Sequence, residues 1–258
     1  MMANSLCFMM LVIISTIHHV KSTPAVLGEY PYVVSIWYRY NHICSGTIYD
    51  STHVITAAHC VHGIEPFRLA VLVGVVDFAN NEKTWIPVKS YAIHPSFGNR
   101  TFINMHAKHY YHDIAVITIK HRFFFNNHVG SAPLDFYEEP IVDDTVDCSA
   151  LYRIVTWNSH LENDSQVLRL ESHFITCITH PIHASLFIFN PFGEPSTPDW
   201  SREAIAGMEN RGTPIHRSGI VIAIVTGSGC LLRGNNWTMI LELWQYKNFI
   251  RTAVAANR

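Results

Sequence analysis

With 258 residues, 48% of them hydrophobic and 15% charged, the chain has ordinary globular composition, enough for one large all-β unit or two small domains around a sizeable core. The formal net charge is −2 and no basic stripe appears, which argues against a nucleic-acid partner. Blocks of like charge, low-complexity stretches and internal repeats are absent.

The first segment reads as an address. Leu6 to Ile17 is mostly apolar and too short to span a bilayer comfortably, and Val20-Lys21-Ser22 offers the small residues that a signal peptidase reads. A signal peptide over 1–22 is expected, with a mature domain over 23–258 that is soluble, secreted and extracellular; no later segment is long enough for a membrane span. Cys7 then leaves with the signal, and Cys44, Cys60, Cys148, Cys177 and Cys230 enter an oxidising compartment where some should pair. Five is odd, so at least one is free or bonded to another chain. Sequons at Asn99, Asn163 and Asn236 agree with that route as candidate glycosylation sites.

Short β-type runs follow. Val33 to Tyr40, Thr47 to Thr56, Ala70 to Val76 and Ile114 to Ile119 form one set; Thr145 to Trp157, Val167 to Ile178, Gly219 to Thr226 and Trp237 to Leu243 form another. Runs this short favour barrels or sandwiches over α/β units. The segment from about 121 to 140 is polar, aromatic and Pro-containing, and reads as a connection. At the end, Tyr246, Phe249, Ile250, Ala253 and Val254 recur at helical spacing, which predicts a short amphipathic helix over about 246–256 docked on a barrel.

Two histidine groups invite chemistry. His106, His109 and His112 recur every third residue before Asp113, so they could share a Zn²⁺ or Cu²⁺ or titrate together; a solvated loop is the plainer reading, since spacing dictates no fourth ligand. His59 lies in "VITAAHC" and needs a group to deprotonate if it is a base.

That motif has neighbours. "YPYVVSI" (30–36), "CSGTIYDSTHVITAAHC" (44–60), "HP" (94–95), "HDIAVITI" (112–119), "DC" (147–148), "TW" (156–157), "IVTGSGC" (224–230) and "TAVAAN" (252–257) occur in that order. Together they resemble the trypsin-like (S1) serine peptidase family over residues 26–257. The resemblance implies two six-stranded antiparallel β-barrels around a cleft, with a barrel over about 26–120, a connection and second barrel over about 121–245, and the terminal helix. It implies that His59 stands at the catalytic base position, that Asp113 orients it, and that Cys44 and Cys60 are bridged. It calls for no cofactor.

The resemblance also exposes a gap. The family's nucleophile lies in Gly-Asp-Ser-Gly-Gly-Pro, and here the matching stretch is Glu209-Asn210-Arg211-Gly212-Thr213-Pro214. Arg211 takes the serine position, and a guanidinium cannot attack a carbonyl. Asn210 replaces the aspartate that pairs with the new amino terminus of active relatives. No basic residue precedes Val26-Leu27-Gly28, the nearest match to that terminus. Three family disulfides lack partners: Cys148 would meet Arg217, Cys177 would meet Phe187 to Phe189, and Cys230 would meet Gly207. The floor of the specificity pocket falls at Ile205, which is apolar. The expectation is a secreted pseudoenzyme that binds an extracellular protein, whether peptidase, inhibitor or substrate. The alternatives are an active endopeptidase with an unrecognised nucleophile, and a His-rich metal- or pH-dependent binding protein on the same fold.

Overall fold

The structure is a computed structural model that describes residues 23–79, 83–100, 109–134, 136, 146–147, 152–162, 165–175, 177–179, 186–189, 211–230 and 236–256. In chain order its strands are β1 (Thr23–Pro24), β2 (Val33–Tyr38), β3 (Asn41–Ile48), β4 (His53–Thr56), β5 (Leu69–Val73), β6 (Thr84–Ile93), β7 (Gly98–Arg100), β8 (His109–Tyr111) and β9 (Ala115–Ile119) in the first half. The second half holds β10 (Val146–Asp147), β11 (Tyr152–Glu162), β12 (Ser165–Ile175), β13 (Cys177–Thr179), β14 (Leu186–Phe189), β15 (Pro214–Arg217), β16 (Ile220–Cys230) and β17 (Asn236–Glu242). A helix α1 (Lys247–Ala256) closes the described chain and buries Ile250, Ala253 and Val254, the face that helical spacing predicts. No helix among the described residues is long and apolar enough to cross a membrane.

The first half closes as a six-stranded barrel in the order β2-β3-β4-β9-β6-β5. Two of its features escape a reading by β-rich runs. The run Thr47 to Thr56 is the end of one strand and the start of another, because Asp50 turns the chain: its Oδ1 accepts from the backbone N–H groups of Thr52 (2.8 Å) and His53 (2.9 Å). Strand β6 lacks a continuous β-rich run, since Pro87 and Lys89 alternate with the buried Ile86 and Val88. It is essential all the same, since it pairs with both β5 and β9 and closes the barrel.

The second half departs from the expected six-stranded barrel. Among the described residues it is an open nine-stranded sheet in the order β1-β12-β11-β15-β16-β17-β14-β13-β10. Thr23 and Pro24 cap one edge by pairing with Ser172 and Glu171, and a proline there has no N–H to pass the ladder on. Strand β11 is buried on both faces: Val155 and Trp157 join the main core, while Tyr152 and Ile154 join a smaller cluster with Ile215, Ala223, Val225 and Ile240. On that second face the apolar surface gives way to a polar group. Asn158 Nδ2 donates to Glu171 Oε2 (2.6 Å) and to His173 Nε2 (3.0 Å), all three residues being buried.

Several contacts join the halves, among them the backbone bonds Phe78 N–H to Leu168 O and Leu170 N–H to Val76 O, and two others bear on the site. The Ser45 N–H of β3 donates to the carbonyl of Arg211 at 2.8 Å, and the next residue, Gly212, has φ +81° and sends its N–H to Val225 O at 2.7 Å. A Cβ on Gly212 would lie 2.1 Å from the Ser45 carbonyl oxygen and 2.5 Å from Thr56 Oγ1. The second contact is Tyr32 against His216, with Tyr32 Oη 2.6 Å from His216 Nε2. His216 Nδ1 lies 3.2 Å from the Arg153 carbonyl, which only accepts, so Nδ1 carries the proton and Nε2 accepts from Tyr32. Burial, together with the nearby Arg153 charge, pulls the His216 pKa down to about 4 against a partly offsetting bond to that carbonyl.

Two outcomes follow from these contacts. Gly212→Ala should cost more than about 3 kcal/mol in a chemical denaturation series, since strain at positive φ adds to a clash with immovable backbone. His216 is neutral when folded but protonates below about pH 6.5 when unfolded, so its share of stability is complete above that pH and is lost as the pH falls toward 4. The stability difference between the parent and His216→Gln should therefore change by up to about 3 kcal/mol between pH 7 and pH 4, in the direction that favours the parent at neutral pH.

Candidate functional site

His59 sits in a single 3₁₀ turn, Ala58–Cys60, that follows β4. The turn is held at one end by the disulfide Cys44–Cys60, with Cα atoms 6.1 Å apart. At the other end it is held by Asp113, whose Oδ1 accepts the His59 backbone N–H at 2.8 Å and whose Oδ2 lies 2.5 Å from His59 Nδ1. Asp113 is 1% exposed on its side chain and His59 10%. A buried carboxylate can only accept here, so Nδ1 bears the proton and Nε2 keeps its lone pair, the tautomer of a general base. The Nε2 atom is 3.6 Å from Cys60 Sγ, which is in a disulfide and offers no proton.

The ligand atoms of Cys44, His59 and Cys60 lie within 4.8 Å of one another. That is not a metal centre while the bridge stands, because a disulfide supplies no thiolate.

Arg211 reaches this corner through the bond from Ser45, the residue after Cys44. Its side chain is half-buried, and its Nε is enclosed without a hydrogen-bond partner. The segment that would carry an inserted amino terminus in active relatives lies on the surface instead. Val26 is 71% exposed, and its N–H donates to Glu29 Oε2 at 3.0 Å.

Of the other residues singled out in the sequence, Ile205, Gly207, Glu209, Asn210, Cys148, Asn163 and His106 lie outside the described residues. Asn99 is in β7, opposite Tyr110 of β8, and His109 is opposite Arg100; Asn236 begins β17. Cys177 faces Phe189 across the β13–β14 ladder, within the range where a bonded cysteine would be sought, and Arg217 pairs with Tyr152.

His112 is engaged elsewhere. Its ring stacks on His94 at 4.7 Å, and its Nδ1 is 3.1 Å from Tyr246 Oη. Burial and the Asp113 charge push the Tyr246 pKa up to about 12, so the phenol stays neutral beside that nitrogen. Burial and the neighbouring His112 draw His94 downward. Sequence periodicity points His112 toward His109; the 134-residue separation from Tyr246 gives no local signal of the partner that the fold supplies.

The comparisons agree with this geometry. The family model described as "Trypsin" matches residues 19–170, more than half of the chain. Trypsin-1 of Astacus astacus is 32% identical over 124 residues, 45% of this chain and 49% of that protein. Trypsin delta of Drosophila erecta is 27% identical over 115 residues, 45% of this chain and 42% of that protein. The matched stretch therefore spans less than half the length of these relatives. Human heparin binding protein superposes with a TM-score of 0.65 at 15% identity, covering 92% of this chain and 97% of that one, a likeness of fold alone. With the barrel, the bridged histidine turn and its buried aspartate in place, the chain belongs to the trypsin family and has the chymotrypsin-like fold.

Proposed function

We propose that this chain is a secreted, non-catalytic member of the trypsin family that acts by binding a protein in extracellular fluid and so regulates proteolysis there. One observation carries the reading. The residue bonded through its carbonyl to Ser45, beside the bridge that holds His59, is Arg211, and a guanidinium stays protonated and has no free lone pair with which to attack. The exposed Val26 supports the same reading, because its backbone N–H is an internal amide bonded to Glu29 at the surface and carries no amino-terminal charge to brace an oxyanion hole. The apolar run Leu6 to Ile17 and the disulfide support secretion.

The intact His59–Asp113 pair favours a second reading, an endopeptidase with another nucleophile. A fluorophosphonate probe separates the two: the non-catalytic reading expects no labelling of the purified secreted protein, and stoichiometric labelling would sink it.

Restoring the nucleophile alone should not restore turnover. An oxyanion-hole donor is typically worth about 3–4 kcal/mol, and Glu209 and Asn210 stand where the family has the glycine and aspartate that shape the hole. Arg211→Ser should hydrolyse peptide esters no faster than the parent, and inhibitor-sensitive turnover by that single variant would show that the rest of the site is competent. A variant that also carries Glu209→Gly, Asn210→Asp, Thr213→Gly and a grafted activation terminus is the one expected to gain activity. In protein secreted from eukaryotic cells, mass mapping should find a glycan on at least one of Asn99, Asn163 and Asn236; three bare asparagines would count against the secretory route.

A further inference from the structure

A cavity of about 770 Å³ opens on the outer wall of the closed barrel, away from the side on which Ile36, Val71 and Ile86 enter the core. Three aromatic residues, Trp37, Tyr40 and Trp85, and three cations, Arg39, Arg68 and Lys83, line it. We infer that this pocket docks an acidic, aromatic-bearing peptide segment of a partner protein, a binding site separate from the His59 cleft.

Four physical features carry the inference. The aromatic surface is open: Tyr40 is 95% exposed and Trp85 43%. The indole N–H of Trp37 is taken by Ser35 Oγ and its ring meets Trp85 edge-on at 5.0 Å, so the pair presents ring surface to an occupant. The cations line the same cavity as that surface, and among the described residues no carboxylate lines it; Glu65 pairs with Arg68 at 3.2 Å. Local positive charge on a chain of net charge −2 selects an anionic occupant, and the apolar area between the cations selects apolar side chains on it. A sulfated polysaccharide meets the first demand and brings no apolar side chain to meet the second.

The turn that presents Tyr40 is the fourth feature. Arg39 and Tyr40 join β2 to β3 with φ of 50° and 75°, conformations that Asn-Gly adopts far more cheaply. Here the sequence keeps a cation and an aromatic at both strained positions, and both face the cavity.

The test uses the secreted protein and a fluorescein-labelled octapeptide of aspartates and glutamates carrying two phenylalanines, followed by anisotropy at fixed salt. The expected result is saturable micromolar binding, weakened about tenfold or more by Arg68→Glu with Lys83→Glu, and about fivefold when the peptide's phenylalanines become alanines. Arg39→Asn with Tyr40→Gly should raise the melting temperature by a few degrees while weakening the peptide several-fold, which separates loss of the site from loss of the fold. Absence of saturation, indifference to the charge reversals, or full affinity in the turn variant would overturn the proposal. So would tighter binding of a sulfated octasaccharide that Trp85→Ala leaves unchanged, which would make the wall a polysaccharide site. Arg211→Ser should bind the octapeptide like the parent, so this result is independent of whether the cleft is catalytic.

Discussion

The backbone at Ser45 joins the two halves at the candidate site. Its N–H donates to the Arg211 carbonyl at 2.8 Å, its carbonyl accepts from Thr56 Oγ1 at 2.7 Å, and its hydroxyl accepts from Thr213 Oγ1 at 3.1 Å. One residue earlier, Cys44 is bridged to the turn that carries His59. The histidine turn and the Arg211 turn are thus referenced to the same two residues of β3. Glycine at 212 is what allows that approach, because no side chain fits between the Ser45 carbonyl and Thr56.

This joint separates scaffold from chemistry. The backbone bonds that position Arg211 need only a carbonyl and a following glycine, so they are indifferent to the side chain at 211. A serine at that position could be replaced by arginine without releasing the seam. The enclosed Nε of Arg211 has no hydrogen-bond partner, a cost typically of 1–3 kcal/mol for a buried polar group. The barrel core, with Val34, Ile36, Val54, Ile55, Val71 and Ile117 wholly buried, is large enough to carry such a cost. In the second half, hydrogen-bonded ladders link positions where relatives would use bridges: Cys177 lies opposite Phe189, and β14 is itself paired with β17.

The same logic applies to the histidines. Three of the described ones have their character set by what the fold brings to them rather than by their neighbours in sequence. His216 is held neutral by burial against Tyr32, and His59 is given one tautomer by Asp113. His112 is turned toward Tyr246 and His94.

The sequence by itself determined the family, the bridged Cys44–Cys60 pair, the His59–Asp113 relation, the terminal helix and the all-β class. These are properties of short motifs whose spacing is rigid, or of periodicity that burial on one face imposes. Tertiary structure alone decided the rest. Strand β6 fills the gap between β5 and β9, each of which has only one other partner in the barrel, although its own run is broken by Pro87 and Lys89. In the second sheet Asn158, Glu171 and His173 meet from strands whose register no local pattern reveals. The outer pocket likewise gathers Trp37, Arg68 and Trp85 from three separate segments. Motifs encode contacts that are close in the chain or kept at fixed spacing. Register and closure depend on hydrogen bonds between distant strands, whose free energy appears only once the whole barrel has formed.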